Sequence, residues 1–220
     1  TNEKARKVIP FTKVDMGAQF AASVLPFRKR KVKILNGVHT MSVLAGYNAG
    51  FKIVRDMVND ETFKAYILKG LNEEILETID LDKEQLTSFA QRFNNPFIDH
   101  KLLDISLNSV AKFKARCLCS YLDYYNKFGK APKVLSFAFA GLINFYENFE
   151  NKDYPVNDIE NVLEFFKAKH KDIVFDVLAN SEFWGEDLTK YDNIYDTVNH
   201  WYTNIKKYGI KSAVEILLNE

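Results

Sequence analysis

Helix-breaking residues are scarce in this sequence, with nine glycines and five prolines in 220 residues. The glycines nowhere form a G-x-G-x-x-G pattern, so the chain encodes no dinucleotide phosphate cradle of that type. Cysteine is almost missing: Cys117 and Cys119 stand one residue apart, where a bridge would be strained, and a reducing, cytoplasmic setting is expected. Two cysteines with no histidine at ligand spacing also make no structural zinc site, and no metal is expected. Charge of one sign is lacking too, since 30 lysines and arginines face 29 acids for a net charge of +1. That balance gives no broad field for nucleic acid or an anionic membrane. The richest apolar run, residues 134–149, is broken by Ser136, Asn144 and Glu147 and falls short of the ~20 residues of a membrane span. It reads as a buried helix. No apolar stretch behind a basic start opens the sequence, and no secretory signal is expected.

What is present is core material. Apolar residues make up 47% of the chain and aromatics 14%, with 18 Phe and 11 Tyr, enough for one well-filled domain over residues 1–220. Beyond residue 36 a 3.6-residue apolar period dominates, which predicts a mainly α, multi-helical fold. Residues 1–35 are expected to be an extended lead-in, because Pro10 and Pro26 interrupt a helix and Val8, Ile9, Phe11 and Val14 favour extended chain. Helix starts are expected at Asn36, Asp60, Asp82 (with Gln85 completing a capping box), Pro132 and Asn157. Stops are expected at Asn95-Pro96 and Gly129, and joints at Gly185 and Gly209.

The densest polar constellation is the stretch KVKILNGVHT, residues 31–40. Asn36 and His39, three apart, share a helix face. Lys31 lies five residues before Asn36, about 140° away on a continuous α-helix, so the three converge only if the chain before Asn36 departs from α-helical winding. Spacing alone leaves two readings open: a ligand site, or a capping asparagine, a satisfied polar histidine and one charge of a solvated run. His170 and His200 lack an acid or cysteine at ligand spacing and read as surface or core residues. Trp184 and Trp201 read as core.

That stretch resembles the active-site motif of the polyol-specific long-chain dehydrogenase (mannitol dehydrogenase) family, a lysine followed five residues on by asparagine and three further by histidine. A second stretch, RFNNPFIDHKLLDISLNSVAKFKAR over residues 92–116, resembles the same family, closest to its sugar-acid branch; Cys119 departs from it, where relatives often carry proline. The resemblance implies the helical C-terminal substrate domain, like that of 6-phosphogluconate dehydrogenase. It also implies an N-terminal Rossmann domain, absent from this chain, that binds NAD. The implied reaction is metal-independent hydride transfer at C2 of an open-chain sugar derivative such as D-tagaturonate, giving D-altronate. Lys31 would be the general acid/base, Asn36 a donor to the oxygen, and His39 a donor orienting the same region. A fully solvated lysine near pKa ~10.4 is a poor base at pH 7, so the chemistry calls for some desolvation. A substrate carboxylate needs a cation, for which Arg92, Lys112, Arg116 and Lys114 are candidates, with Lys112 and Arg116 on one helix face and Lys114 pointing away. His100 falls in the motif as a pocket-lining candidate. Fructuronate, mannitol and mannitol phosphate remain alternative substrates, and a noncatalytic helical scaffold is the alternative of another class.

Overall fold

The computed structural model describes Val8 and residues 22–79 and 99–220. Among them the architecture is helical, the one β contact being an isolated antiparallel bridge between Ile53 and Lys101. The expected lead-in is corrected from residue 25 onward. Helix α1, Leu25–Lys31, carries Pro26 in its first turn, where the missing N–H costs nothing. It runs without a break into a π-helical turn, Val32–Asn36 (π1), and then into α2, Gly37–Asn48. Asn36 is therefore not a cap; it lies inside a continuous helix and its side chain makes no capping bond.

Asp60 caps α4 as expected, its carboxylate accepting from the Phe63 N–H at 3.0 Å. Between α2 and α4 lies α3, Val54–Asn59, and α4 itself spans Glu61–Lys69. A second π-turn, Gly70–Ile75 (π2), and a short 3-10 turn, Leu76–Thr78, follow. The helix expected from Asp82 and its stop at Asn95-Pro96 lie outside the described residues. Next come α5, Leu102–Ser106, and α6, Ser109–Phe113, which passes through a third π-turn, Lys114–Leu118 (π3), into α7, Cys119–Phe128. Gly129 ends α7 in the left-handed region at φ 67°, the conformation glycine adopts most cheaply.

Helix α8, Lys133–Tyr146, is buried on nearly every side. A helix apolar all round belongs in the middle of a protein, and α8 packs on α2 and on the last long helix. Its Phe137 meets Tyr66 and Trp201, while Phe139 meets Phe113, Tyr121 and Trp184 in edge or tilted ring contacts. Pro132 immediately precedes α8, one residue ahead of the first turn expected for it, and makes no side-chain cap. Farther on are α9 (Glu160–Lys167), α10 (Ile173–Ala179), α11 (Ser181–Trp184) and α12 (Ile194–Asn219). Asn157 does not cap α9, whose preceding residue Ile159 makes no side-chain cap. Gly185 forms the expected joint at φ 90°, and Gly209 kinks α12 with φ 78° and ψ 164°. No described helix is long and apolar enough to cross a membrane.

Candidate active site

The π-turn between α1 and α2 supplies the departure from α-helical winding that the Lys31-to-Asn36 spacing requires. A π-turn closes i→i+5 rather than i→i+4 bonds, and here the Gly37 N–H reaches back to the Val32 carbonyl. Such winding turns residues five apart toward one another, where a continuous α-helix would leave them about 140° apart. Lys31 stands at the entry of this turn, Asn36 at its last residue, and His39 one α-helical turn beyond. Lys31 is exposed, while Asn36 and His39 are half-buried. Among the described residues the Lys31 and Asn36 side chains make no hydrogen bond or ion pair.

His39 is oriented by its own helix. Its Nδ1 lies 2.8 Å from the Leu35 carbonyl, an acceptor only, so Nδ1 carries the proton and Nε2 is the acceptor of the neutral ring. Burial pulls its pKa below the usual imidazole range; the Leu35 carbonyl opposes that pull, and the nearby charges of His100 and Arg116 add to it. In that tautomer the neutral ring presents Nε2 as an acceptor.

The third π-turn lies against this segment. Turn π3 packs against π1 and α2, and the contact is close because Gly37 has no side chain: a Cβ there would lie 3.2 Å from the Arg116 carbonyl oxygen. The Cys117 thiol donates to the Gly37 carbonyl at 3.4 Å. This register brings the Arg116 guanidinium to the Thr40 hydroxyl at 3.3 Å and into the electrostatic neighbourhood of His39. Lys112, one turn earlier, donates to the Ile105 carbonyl at 2.9 Å; burial lowers its pKa and Arg116 lowers it further, against Asp158. Lys112 and Arg116 thus engage different partners, Ile105 and Thr40, while feeling each other's charge, and Lys114 is exposed and lies over Gly185. His100 is exposed, not buried, and its carbonyl accepts from the Val54 N–H at the start of α3. Arg92 lies outside the described residues.

The local charge is one-sided. The last turn of α1 carries Arg28, Lys29, Arg30 and Lys31, its first turn has no acid, and none of these cations is ion-paired among the described residues. With Arg116 and Lys112 on the segment that packs against π1 and α2, this concentration of positive charge suits an anionic ligand. No group of three or more metal-ligating side chains occurs among the described residues. His170 gains a partner the sequence spacing did not suggest, Asp176 at 2.8 Å, and its other ring nitrogen meets the Phe165 carbonyl.

Sequence reasoning missed Lys33. It lies in the basic stretch from Arg28 to Lys33, yet it is 2% exposed and donates to Asp123, Thr78 Oγ1 and the Thr78 carbonyl at 2.6, 3.1 and 3.2 Å. The signal was available: two residues on a helix are about 200° apart, so Lys31 and Lys33 cannot both face water from one edge.

The model of the mannitol dehydrogenase C-terminal domain matches residues 23–206. The altronate oxidoreductase of Yersinia enterocolitica is 36% identical over 217 residues, covering 92% of this chain and 45% of its own length. That of Halalkalibacterium halodurans is 32% identical over 244 residues, covering 100% and 48%. The chain therefore spans about half the length of the curated relatives it matches. Among solved structures, Pseudomonas fluorescens mannitol 2-dehydrogenase, in a ternary complex with NAD and D-mannitol, superposes with a TM-score of 0.80 at 18% identity, over 93% of this chain and 43% of that one. A substrate-free D-sorbitol dehydrogenase superposes with a TM-score of 0.74 at 17% identity, over 90% of this chain and 42% of that one. These two likenesses establish the helical fold.

Proposed function

The chain belongs to the mannitol dehydrogenase C-terminal domain family, and on that premise we propose that it is the substrate-binding and catalytic half of an oxidoreductase that interconverts D-tagaturonate and D-altronate with NAD(H). The observation that supports the reading is the π-turn between Lys31 and Asn36, a winding that would turn the two toward one side of the helix, with His39 a turn further, beside an excess of basic side chains. Altronate oxidoreductases as the relatives at 32–36% identity support the sugar-acid substrate.

The described residues hold no strand–turn–helix phosphate cradle, so the dinucleotide is assigned to an N-terminal nucleotide-binding domain in the other half of the protein. NADH, when bound there, supplies the hydride to C2. The residues of this chain handle the proton and the charge. In reduction the Lys31 ammonium protonates the C2 oxygen, and in oxidation the amine takes the hydroxyl proton. The Asn36 carboxamide donates an N–H to the same oxygen as negative charge develops on it. Neutral His39 accepts from a substrate hydroxyl and fixes which face of C2 is presented. Arg116, seated on Thr40 and near His39, meets the carboxylate, with Lys112 adding positive charge. Arg92 and His100 are proposed as further groups at the edge of the same site. The surroundings are those of a soluble cytoplasmic enzyme of hexuronate metabolism.

The test is a rate comparison with the full-length protein. NADH oxidation is expected to be fastest, by kcat/KM, with D-tagaturonate, and to fall with D-fructuronate and with the mannitol couple in the reverse direction. Arg116→Ala is expected to raise KM for the uronate by about 10- to 100-fold, the size of a lost charge-assisted contact. A higher kcat/KM on mannitol than on either uronate would reassign the substrate. The isolated chain, lacking the dinucleotide half, is expected to show no turnover.

A further inference from the structure

Of three π-helical turns, the first packs on the other two, and one buried ammonium ties it to the segments that follow them. Turn π1 packs against both π2 and π3. Each π-turn is a local departure from the preferred winding, and such turns persist where surrounding contacts hold them. The Lys33 side chain starts within π1. Its Nζ reaches Thr78, three residues after π2 ends, through both the hydroxyl and the carbonyl, and Asp123, which lies on α7 directly beyond π3. The three N–H groups of the ammonium thus meet three acceptors, one of them ionised, which is what a buried lysine needs to offset its lost hydration. Asp123 remains 51% exposed, so the cluster is anchored at one end in solvent.

We propose that Lys33 is a positioning residue for the reaction: by tying π1 to the segments that follow π2 and π3, it holds the wound turn that aligns Lys31 with Asn36. This inference rests on the proposed dehydrogenase reading of the site. Lys33 itself touches no reacting atom, and its ammonium points into the protein while Lys31 points out. Relaxation of π1 to α-helical winding would swing Lys31 away from Asn36, toward the 140° separation of an unbroken α-helix. Displacements of about 1 Å at reacting groups cost roughly 10²-fold in rate.

The experiment uses the full-length enzyme with D-tagaturonate and NADH. Lys33→Met keeps the length and apolar stem and removes the three N–H bonds; Asp123→Asn weakens the network from its exposed end. Lys33→Met is expected to lower kcat by about 10- to 100-fold with KM changed less than about 3-fold, because the substrate contacts remain. Asp123→Asn is expected to lower kcat by a smaller factor, and the double variant to be no worse than Lys33→Met alone, as for partners in one network. Lys31→Met is measured beside them. Loss of activity in Lys31→Met with wild-type kcat per folded site in Lys33→Met overturns the positioning role alone. A lower melting temperature with unchanged kcat in Lys33→Met, a purely structural result, overturns it as well. Full turnover in Lys31→Met instead overturns the reading of the site on which the inference stands. If Lys33→Met does not fold, Asp123→Asn decides: unchanged kcat overturns the inference, and reduced kcat at constant KM supports it.

Discussion

The buried carboxylate of Glu74 offers a quantitative check on the packing that supports the site. Glu74 sits on π2 and is 4% exposed, and its two oxygens accept the Val134 and Leu135 N–H groups at 2.7 and 2.8 Å, two of the unpaired donors in the first turn of α8. Burial raises its pKa from 4.5 to about 7, against the two N–H bonds that favour the ion. A carboxyl whose folded pKa lies above its unfolded one binds its proton more tightly in the native state. Its contribution is therefore fully present below about pH 4.5 and is lost as pH rises through 7. At 1.36 kcal/mol per pH unit, integration from pH 4 to 8 gives a loss of about 3 kcal/mol. Glu74→Gln has nearly the same shape and no titration. Urea unfolding of the chain at pH 4, 6 and 8, followed by far-UV circular dichroism, should show the wild type losing about 3 kcal/mol relative to the variant across that range. Other groups, His39 included, titrate alike in both proteins and cancel in the difference. A difference constant with pH would refute the burial argument, and one moving in favour of the wild type at high pH would mean that the start of α8 stabilises the carboxylate more than burial opposes it.

Two further outcomes follow from close packing and burial. A Cβ at Gly70 would fall 2.5 Å from Met41 Sδ and 2.7 Å from Val134 Cγ1, so Gly70→Ala should destabilise the chain by about 1–3 kcal/mol in urea titration; a neutral result would mean the core there has slack. Cys117 is buried and burial pushes its thiol pKa up, while Cys119 is exposed, so a thiol-exchange reagent should label one cysteine per native chain and two after denaturation, and fast labelling of both in the native protein would contradict the packing of π3 on Gly37.

The helices were legible where periodicity and capping chemistry act locally. Asp60, Gly129 and Gly185 do what their side chains, or the lack of one, dictate, and the apolar run after Pro132 is the central buried helix. What failed were inferences from one residue against its context. Pro26 was read as a breaker, yet in the first turn of a helix a proline breaks nothing. Asn36 was read as a cap because asparagine favours caps, but the turn before it stays wound. The resemblance singled out Lys31, Asn36 and His39, and their five-residue spacing already called for the departure from α-helical winding that the structure has at residues 32–36. The form of that departure was not legible: π-turns carry no local sequence signature and are held here by tertiary partners, Lys33 with Thr78 and Asp123, and Gly37 with Arg116. Those pairs join residues 45 to 90 positions apart, a separation that no single-sequence period records.

The most direct test of the central claim is the turnover of Lys31→Met in the full-length enzyme, with NADH binding and the melting temperature measured as controls. If Lys31 is the acid that protonates the C2 oxygen, tagaturonate reduction should fall by about 10²-fold or more while NADH still binds and the protein still melts as the wild type does. Turnover within about 3-fold of wild type would show that the proton comes from elsewhere and that the aligned turn at residues 32–36 serves only the fold.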